Sequence, residues 1–273
     1  RLIYRLILEE ILVSFRDSQK KNNMAKMYAW MSDISGVEYI RNGSWEWNNI
    51  ENVRYLLKTN QVKNKIFIDI GANIGYFTCN FYAYFNKIYA FEPNKIAFNI
   101  LTANTLNLNY QFSSQCLIKR ENLAISNSNG ELYLEANLNN SLGKTNKYDS
   151  YNSYSVKAIR LDEYIENEKI KAEDISLIKI DVEGFETEVI KGALKTMKSA
   201  SPIILVEMLS KKNNPKILEM LNSSGYIYKY SYKRNFYNNL LRISPRLKKR
   251  SEEYIINNSS QLVYFSKKPI KFS

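Results

Sequence analysis

A chain of 273 residues that is 45% hydrophobic and 24% charged has the composition of a folded globular protein. It contains no histidine, which excludes Ser-His-Asp and Cys-His catalysis, and its two cysteines are too few for a disulfide scaffold or a structural zinc site. The net charge of +12 favours an acidic partner.

The amino-terminal segment, residues 1–60, is predicted to form a helical extension. Apolar side chains recur along its first part at three- and four-residue spacing, which gives a helix one apolar face. These side chains are Leu2, Leu6, Ile7, Ile11 and Phe15. We expect this face to pack on the rest of the protein or to form a homodimer with a second copy.

The same opening segment bears on localisation. Arg5, Glu9 and Glu10 interrupt its apolar run, which stays below the ~18 residues of a membrane span. It also lacks the small-residue cleavage site of a signal peptide. Because two cysteines are compatible with a reducing compartment, we expect a cytoplasmic protein.

From residue 61 to residue 273, apolar strand patterns alternate with helical patterns. Seven strands are predicted, at KIFIDI, KIYAFEP, CLIKRENLAIS, ISLIKIDVEG, PIILVEM, residues 225–232 and residues 261–266. Helices are predicted at residues 75–85, from the end of KIYAFEP to about residue 107, at residues 186–197 and at residues 215–223. GELYLEANL and SYSVKAIRL predict an added β-hairpin. The order predicts an α/β domain with a doubly wound, mostly parallel seven-stranded sheet.

The first informative motif is IFIDIGANIGYFT, in which a buried strand ends at Asp69. Gly71 permits a tight turn, and Gly75 lets the next helix start close to the sheet. A dinucleotide fingerprint would place a third glycine between them for contact with a pyrophosphate, but this chain has Asn73 there. The motif therefore favours a nucleoside ligand without a pyrophosphate.

Glu92 supports the same interpretation. It closes the second strand, about 20 residues after the first loop, where an acidic residue recognises a ribose diol. Ligands on doubly wound sheets bind at the carboxyl ends of strands, so Asp69 and Glu92 are predicted to line one site.

The second informative motif is IKIDVEGFETEVIKGA. Lys179 and Asp181 are two residues apart in a strand and share a face. A lysine in so apolar a strand needs a partner, and a structural ion pair with Asp181 or Asp69 is one interpretation. The other places Asp181 at the mouth of a reaction site, with Glu183 in the following turn.

Taken together, the chain resembles the FkbM-type methyltransferase family. The matching stretches, over roughly residues 60–210, are IDIGANIGYFT, FEPN, ENLAIS, LDEYI and IKIDVEGFETEVIKGA. The resemblance implies a Rossmann-like class I methyltransferase fold, S-adenosylmethionine as the methyl donor, and O-methylation, often of sugars.

The resemblance also implies roles for single residues. The methionine part of the donor would be lined by Asp69, Gly71, Asn73 and Gly75, and its ribose would be held by Glu92. The adenine would lie beside Asn122, Leu123 and Ala124. The acidic pair at the transfer site would be Asp181 and Glu183.

The predicted catalytic residues are Asp181, Glu183 and Lys179. Asp181 is the leading candidate for a base or an acceptor anchor, because a sugar hydroxyl is a weak nucleophile and the chain has no histidine. We expect a metal-free site; the alternative is a divalent ion held by Asp181, Glu183 and Glu207.

The predicted acceptor is a carbohydrate or a nucleotide-sugar. A basic stretch, residues 233–250, contains seven basic and no acidic residues; it predicts a solvated surface, an anionic ligand or a peripheral membrane contact. RNA or protein methylation is the first alternative, although no N/D-P-P-Y/F motif is present, so nucleic acid is not expected. The others are an inactive S-adenosylmethionine-binding module and a nicotinamide oxidoreductase.

Overall fold

The centre of the fold is an eight-stranded sheet. The computed structural model describes residues 25, 27–28, 46–112, 114–135, 153–209, 211–232, 247–258 and 261–271. In spatial order the strands are β10 (Lys248–Lys249), β9 (Tyr228–Ser231), β11 (Gln261–Ser266), β8 (Ile203–Met208), β7 (Ile175–Ile180), β1 (Ile66–Ile70), β2 (Lys87–Phe91) and β3 (Leu117–Glu121).

The strands β8, β7, β1, β2 and β3 run parallel, whereas β11 is antiparallel to both β8 and β9. The predicted doubly wound, mostly parallel sheet is therefore confirmed. It has one more strand than the predicted seven, because Lys248–Lys249 pairs with the outer edge of β9. The carboxyl ends of the five parallel strands lie along one edge of the sheet, which we call the carboxyl edge.

Helices cover both faces of the sheet. They are α1 (Trp47–Lys58), α2 (Tyr76–Phe81), α3 (Lys95–Leu106), α4 (Leu108–Gln111), α5 (Leu161–Asn167), α6 (Glu186–Gly192), α7 (Leu194–Ala200), α8 (Asn214–Ser223) and α9 (Glu252–Asn257). Alternate strand residues point to opposite faces. Phe67 accordingly packs with α1 and α2, whereas Ile68 packs with the helices α5 to α9.

The added hairpin is confirmed and gains a third strand. A smaller sheet has the order β4 (Ala124–Ile125), β6 (Ser153–Ile159) and β5 (Gly130–Glu135). The stretch CLIKRENLAIS was predicted as one strand, but it divides between the two sheets after Glu121. Asn122 occupies the break, where its side-chain amide donates to the carbonyls of Glu92 and Pro93 at 2.8 and 3.0 Å.

Two predicted helices have different bounds in the structure. The helix predicted at residues 186–197 is two helices, which meet at Gly192 and Ala193. Gly192 lies against the chain at Ser126, because a Cβ at this glycine would be 1.9 Å from the Ser126 carbonyl oxygen. The helix predicted at residues 75–85 ends earlier, at Phe81. Contacts with other parts of the chain determine where these helices end, and the spacing of apolar residues in the sequence does not reveal such contacts.

Of the predicted helical extension, residues 1–60, the structure describes mainly the last part, residues 46–60. The helix α1 buries Ile50, Val53 and Leu56 in the core beside the sheet. The predicted apolar face of residues 2–15, with its dimer contact, and residues 233–246 of the basic stretch lie outside the described residues. No helix in the described ranges has the length and apolar character that a bilayer crossing requires.

Candidate active site

The loop between β1 and α2 crosses the carboxyl edge in an unusual conformation. Gly71, Asn73 and Gly75 have φ of 74°, 49° and 92°, so alternate residues are left-handed. The N–H groups of Gly71 and Ala72 both donate to the Phe91 carbonyl at 3.0 Å, which ties the loop to the end of β2.

Both glycines of this loop are also required by close packing. A Cβ at Gly71 would lie 1.8 Å from the Asp181 carbonyl oxygen, and one at Gly75 would lie 2.7 Å from Leu101 Cδ1. Gly71 thus brings the first motif directly against the second motif. The two glycines predicted from the sequence are therefore needed for the fold of the loop itself.

Glu92 is buried at the end of β2 and is 6% exposed. Its Oε2 accepts from the Asn73 N–H and its Oε1 from the Asn94 N–H, both at 2.8 Å. Burial raises the pKa of Glu92 to about 7 in spite of these two bonds. Because each carboxylate oxygen has a further lone pair, Glu92 can still accept hydrogen bonds from a ligand's hydroxyl groups.

Lys179 lies at the centre of a buried charge cluster. Its Nζ is 3.0 Å from Asp181 Oδ2, 3.8 Å from Asp69 Oδ1 and 3.2 Å from the Gly71 carbonyl oxygen. Its side chain is 4% exposed and its ammonium lies 4.9 Å from the Phe77 ring centroid. Burial lowers the pKa of Lys179, but Asp181 and Asp69 outweigh this effect, so the lysine remains protonated.

Asp69 is fully buried beneath the loop. Thr78 Oγ1 donates to its Oδ2 at 2.7 Å, and burial raises the pKa of Asp69 against the opposing effects of Lys179 and Thr78. Asp69 influences the pKa of Glu92, and Asp181 influences that of Asp69. Asp69 and Glu92, which were predicted to line one site, therefore lie together with Asp181 at the carboxyl edge, at the ends of the neighbouring strands β1, β2 and β7.

Asp181 also belongs to a cluster of three acidic side chains. The carboxyl oxygens of Asp181, Glu183 and Glu207 lie within 4.8 Å of one another. Burial raises the pKa of Asp181 but Lys179 outweighs it, so the pKa is lowered. Burial, with the charge of Asp181, raises the pKa of Glu207 to about 10. Glu183 has a φ of 51°, which turns the chain after β7.

The turn after β7 is held by Glu186 at the start of α6. Its Oε1 accepts from the Gly184 N–H at 2.9 Å and from the Val182 N–H at 3.4 Å, and the residue is 2% exposed. Glu186 thus fixes the chain between Asp181 and α6 from inside the protein.

The sequence also matches the family model described as the methyltransferase FkbM domain, over residues 69–228. The match covers more than half of the chain. The chain belongs to the FkbM methyltransferase family. It is accordingly an S-adenosylmethionine-dependent methyltransferase.

Individual proteins resemble this FkbM methyltransferase to different extents. The hexuronic acid methyltransferase AglP of Haloferax volcanii is 28% identical over 222 residues, which are 77% of this chain and 84% of the relative. A solved methyltransferase FkbM from Methylobacillus flagellatus has 16% identity and a TM-score of 0.47; the match covers 74% of this chain and 43% of that one. TYW2 of M. jannaschii, solved with AdoMet, has 14% identity, a TM-score of 0.37 and coverages of 81% and 76%.

The residues at the carboxyl edge fit the donor of an FkbM methyltransferase. Glu92 offers a carboxylate for the ribose hydroxyls, and the Gly71–Gly75 loop passes above the strand ends between Glu92 and Asp181. The segment predicted beside the adenine begins with exposed Asn122 and partly buried Leu123. Ala124 is 1% exposed and packs with residues of the smaller sheet.

Two residues near this site were not predicted. Tyr154, on β6, contacts the backbone of Lys95 and lies close enough to Glu92 for the two groups to interact electrostatically. Glu46, just before α1, has a φ of 46° and influences the pKa values of Lys179 and Glu207. The sequence gives no signal for either residue, since both reach the site from outside the two motifs.

Proposed function

We propose that this protein is an O-methyltransferase that methylates a hydroxyl group of a carbohydrate by in-line transfer with carboxylate assistance. One observation carries the proposal: Asp181, held by Lys179 at 3.0 Å and 27% exposed, lies directly against the Gly71 loop of the cofactor motif. A carboxylate accepts hydrogen bonds and does not donate them, which suits a hydroxyl acceptor.

On the donor side, Asp69, Gly71, Asn73 and Gly75 form the methionine end and Glu92 binds the ribose. Asn122, Leu123 and Ala124 lie on the adenine side. When bound, S-adenosylmethionine supplies an electrophilic methyl group. Asp69 is fully buried, and its partners in the structure are Lys179 and Thr78. Its contact with the methionine ammonium stays a prediction.

On the acceptor side, Asp181 anchors the hydroxyl group and receives its proton. As the hydroxyl oxygen bonds to carbon, its proton becomes far more acidic than a carboxylic acid, so a carboxylate of low pKa suffices as the base. Lys179 acts by keeping Asp181 ionised and oriented, and Glu183 is the second candidate for contact with the acceptor. Much of the rate enhancement then comes from alignment, which contributes up to ~7–11 kcal/mol in small-molecule reactions.

The proposed acceptor is a sugar, free or linked to a nucleotide. The support is the 28% identity to a relative named a hexuronic acid methyltransferase and the hydrogen-bond acceptors at the acceptor side. We propose that the reaction needs no metal ion. Cytoplasmic location, and membrane contact through residues 233–250, remain predictions.

Replacing Asp181 with asparagine is expected to lower the methyl-transfer rate by ~10²–10⁴-fold while S-adenosylmethionine still binds. The variant keeps the shape of the side chain but loses the proton acceptor. The measurement is transfer of radiolabelled methyl groups to a panel of oligosaccharides and nucleotide-sugars, with RNA and protein pools in parallel. Full activity of the variant, or labelling of RNA or protein with none of the carbohydrates labelled, would contradict the proposal.

Binding of S-adenosylmethionine is expected to weaken as the pH falls through the pKa of Glu92, which is about 7. The ionised carboxylate accepts from the ribose hydroxyls, and the protonated fraction does not contribute to binding. At one pH unit below the pKa the affinity should therefore drop roughly tenfold. Calorimetry at about pH 6 and about pH 8 measures this. Glu92→Gln is the control, since it should bind weakly with little pH dependence; an equal slope in both proteins would exclude Glu92 as the cause.

A further inference from the structure

The buried charges around Lys179 do not balance if every carboxyl group is ionised. Asp69 and Asp181 lie beside one ammonium group, and Glu207 lies within 4.8 Å of Asp181. The ammonium contacts Asp181 at 3.0 Å and Asp69 at 3.8 Å. Glu207, on the adjacent strand, forms no ion pair with any cation in the described ranges. An ionised carboxylate in this position would be partly desolvated and uncompensated, which is strongly unfavourable.

The position of Glu207 brings it against another acid. Glu207 follows Val206, which pairs with Ile180 on β7, so Glu207 and Asp181 lie at the ends of adjacent strands. One carboxyl oxygen of Glu207 lies within 4.8 Å of one of Asp181. Two ionised carboxylates this close repel each other, whereas a proton on one of them removes the repulsion and lets it donate a hydrogen bond to the other. The second oxygen of Glu207, Oε2, is buried and has no hydrogen-bond partner in the described part of the chain, which a neutral acid tolerates better than an anion.

We propose that Glu207 is a neutral carboxylic acid that donates its proton in a hydrogen bond to Asp181, and that it is the positioning residue for the Asp181 carboxylate. Asp181 is then held by two donors, the ammonium of Lys179 and the hydroxyl of the Glu207 acid. The catalytic consequence rests on the proposed function, whereas the protonation state of Glu207 does not.

The surroundings of Glu207 on every side support this assignment. The charged groups near it are Lys179 on β7, Asp181 just after β7, Glu183 in the following turn and Glu46 before α1. On the other side β11 places the apolar Leu262 beside it. Three of the four charged neighbours are acidic, and with burial they raise the pKa of Glu207 to about 10.

The thermal stability of the full chain tests the proposal without any acceptor. The pKa of Glu207 is about 10 in the folded chain, whereas an ordinary glutamate side chain has a pKa of 4.5. Its contribution to stability is complete below 4.5 and is lost as the pH rises towards 10, because the unfolded chain releases the proton first. Glu207→Gln keeps the shape and a hydrogen-bond donor but does not titrate. The ratio of folded to unfolded protein should therefore fall in the wild type, but not in Glu207→Gln, by roughly tenfold per pH unit between about pH 6 and about pH 9.

Two further measurements separate positioning from a purely structural role. In the methyl-transfer assay, Glu207→Gln should retain most of the activity that Glu207→Ala loses, because glutamine still donates to Asp181. Titration with Mn²⁺ should reveal no stoichiometric site in the wild type. A stability difference between Glu207→Gln and wild type that does not change with pH would overturn the proposal. So would stoichiometric Mn²⁺ binding that Glu207→Gln abolishes. Failure to methylate carbohydrates would affect the proposed function alone.

Discussion

Replacing Lys179 with methionine is expected to lower the free energy of unfolding by about 3–5 kcal/mol. The variant loses the attraction between the ammonium and the carboxylates, and it also leaves buried charge uncompensated. Lys179 is 4% exposed and neutralises Asp69, which is fully buried, and Asp181. Methionine fills a similar volume but leaves both carboxyl groups without their cation. Denaturant unfolding at neutral pH, followed by circular dichroism, measures the difference.

The pH dependence of this variant identifies the cause. Without Lys179, the largest effect that lowers the pKa values of Asp69 and Asp181 is absent, so burial raises both pKa values relative to those in the wild type. A raised pKa means that stability is greatest at low pH and is lost as the pH rises. The deficit relative to wild type should therefore shrink as the pH falls, and the added changes Asp69→Asn and Asp181→Asn should reduce it at neutral pH.

The matched control is Lys157→Met, which replaces an exposed lysine of β6. It should change the stability by no more than about 0.5 kcal/mol. If Lys179→Met and Lys157→Met were equally stable, the charge cluster would contribute nothing to folding, and Lys179 could no longer be considered the support of Asp181.

The cluster around Lys179 shows how far the sequence alone can lead. Because side chains alternate along a strand, Lys179 and Asp181 are predicted to share one face. Because Asp69 and Glu92 stand where apolar strands end, they are predicted to lie at the carboxyl edge of the sheet. These inferences need local pattern and a parallel sheet, both of which the sequence displays. The ion pair was one of two interpretations for this region. The structure shows the pair between Lys179 and Asp181, the carboxylate that we propose to be catalytic.

Other parts of the site depend on contacts between distant segments, which a single sequence does not encode visibly. Glu207 was considered as a metal ligand, but its contact with Asp181 follows from the pairing of β7 with β8. Glu46 and Tyr154 enter from segments that lie far from both motifs in the chain. A carboxylate at the end of the apolar strand PIILVEM was the one available signal, since acidic residues are rarely buried without a partner.

Replacing Gly71 with alanine is expected to destabilise the protein by about 2–5 kcal/mol, and the remaining folded protein should not bind S-adenosylmethionine. Two effects add. The φ of 74° is unfavourable for any residue with a Cβ, and that Cβ would lie 1.8 Å from the Asp181 carbonyl oxygen. Because the obstructing atom belongs to the backbone, the loop after β1 and the end of β7 must separate. The Asp181 side chain would then move away from the loop that we propose binds the donor.

Gly225→Ala separates these two effects. Its φ of 91° imposes a similar backbone penalty, but the nearest atoms to a new Cβ belong to the flexible Lys267 side chain, at 3.5 Å and beyond. We expect it to cost only about 1–2 kcal/mol and to leave the affinity for S-adenosylmethionine unchanged. The comparison uses thermal unfolding for stability and calorimetry for binding. Equal losses in the two variants would mean that backbone conformation, rather than the contact between the two motifs, makes glycine necessary at residue 71. In that case the close approach of Gly71 to the Asp181 carbonyl would not be a condition for donor binding.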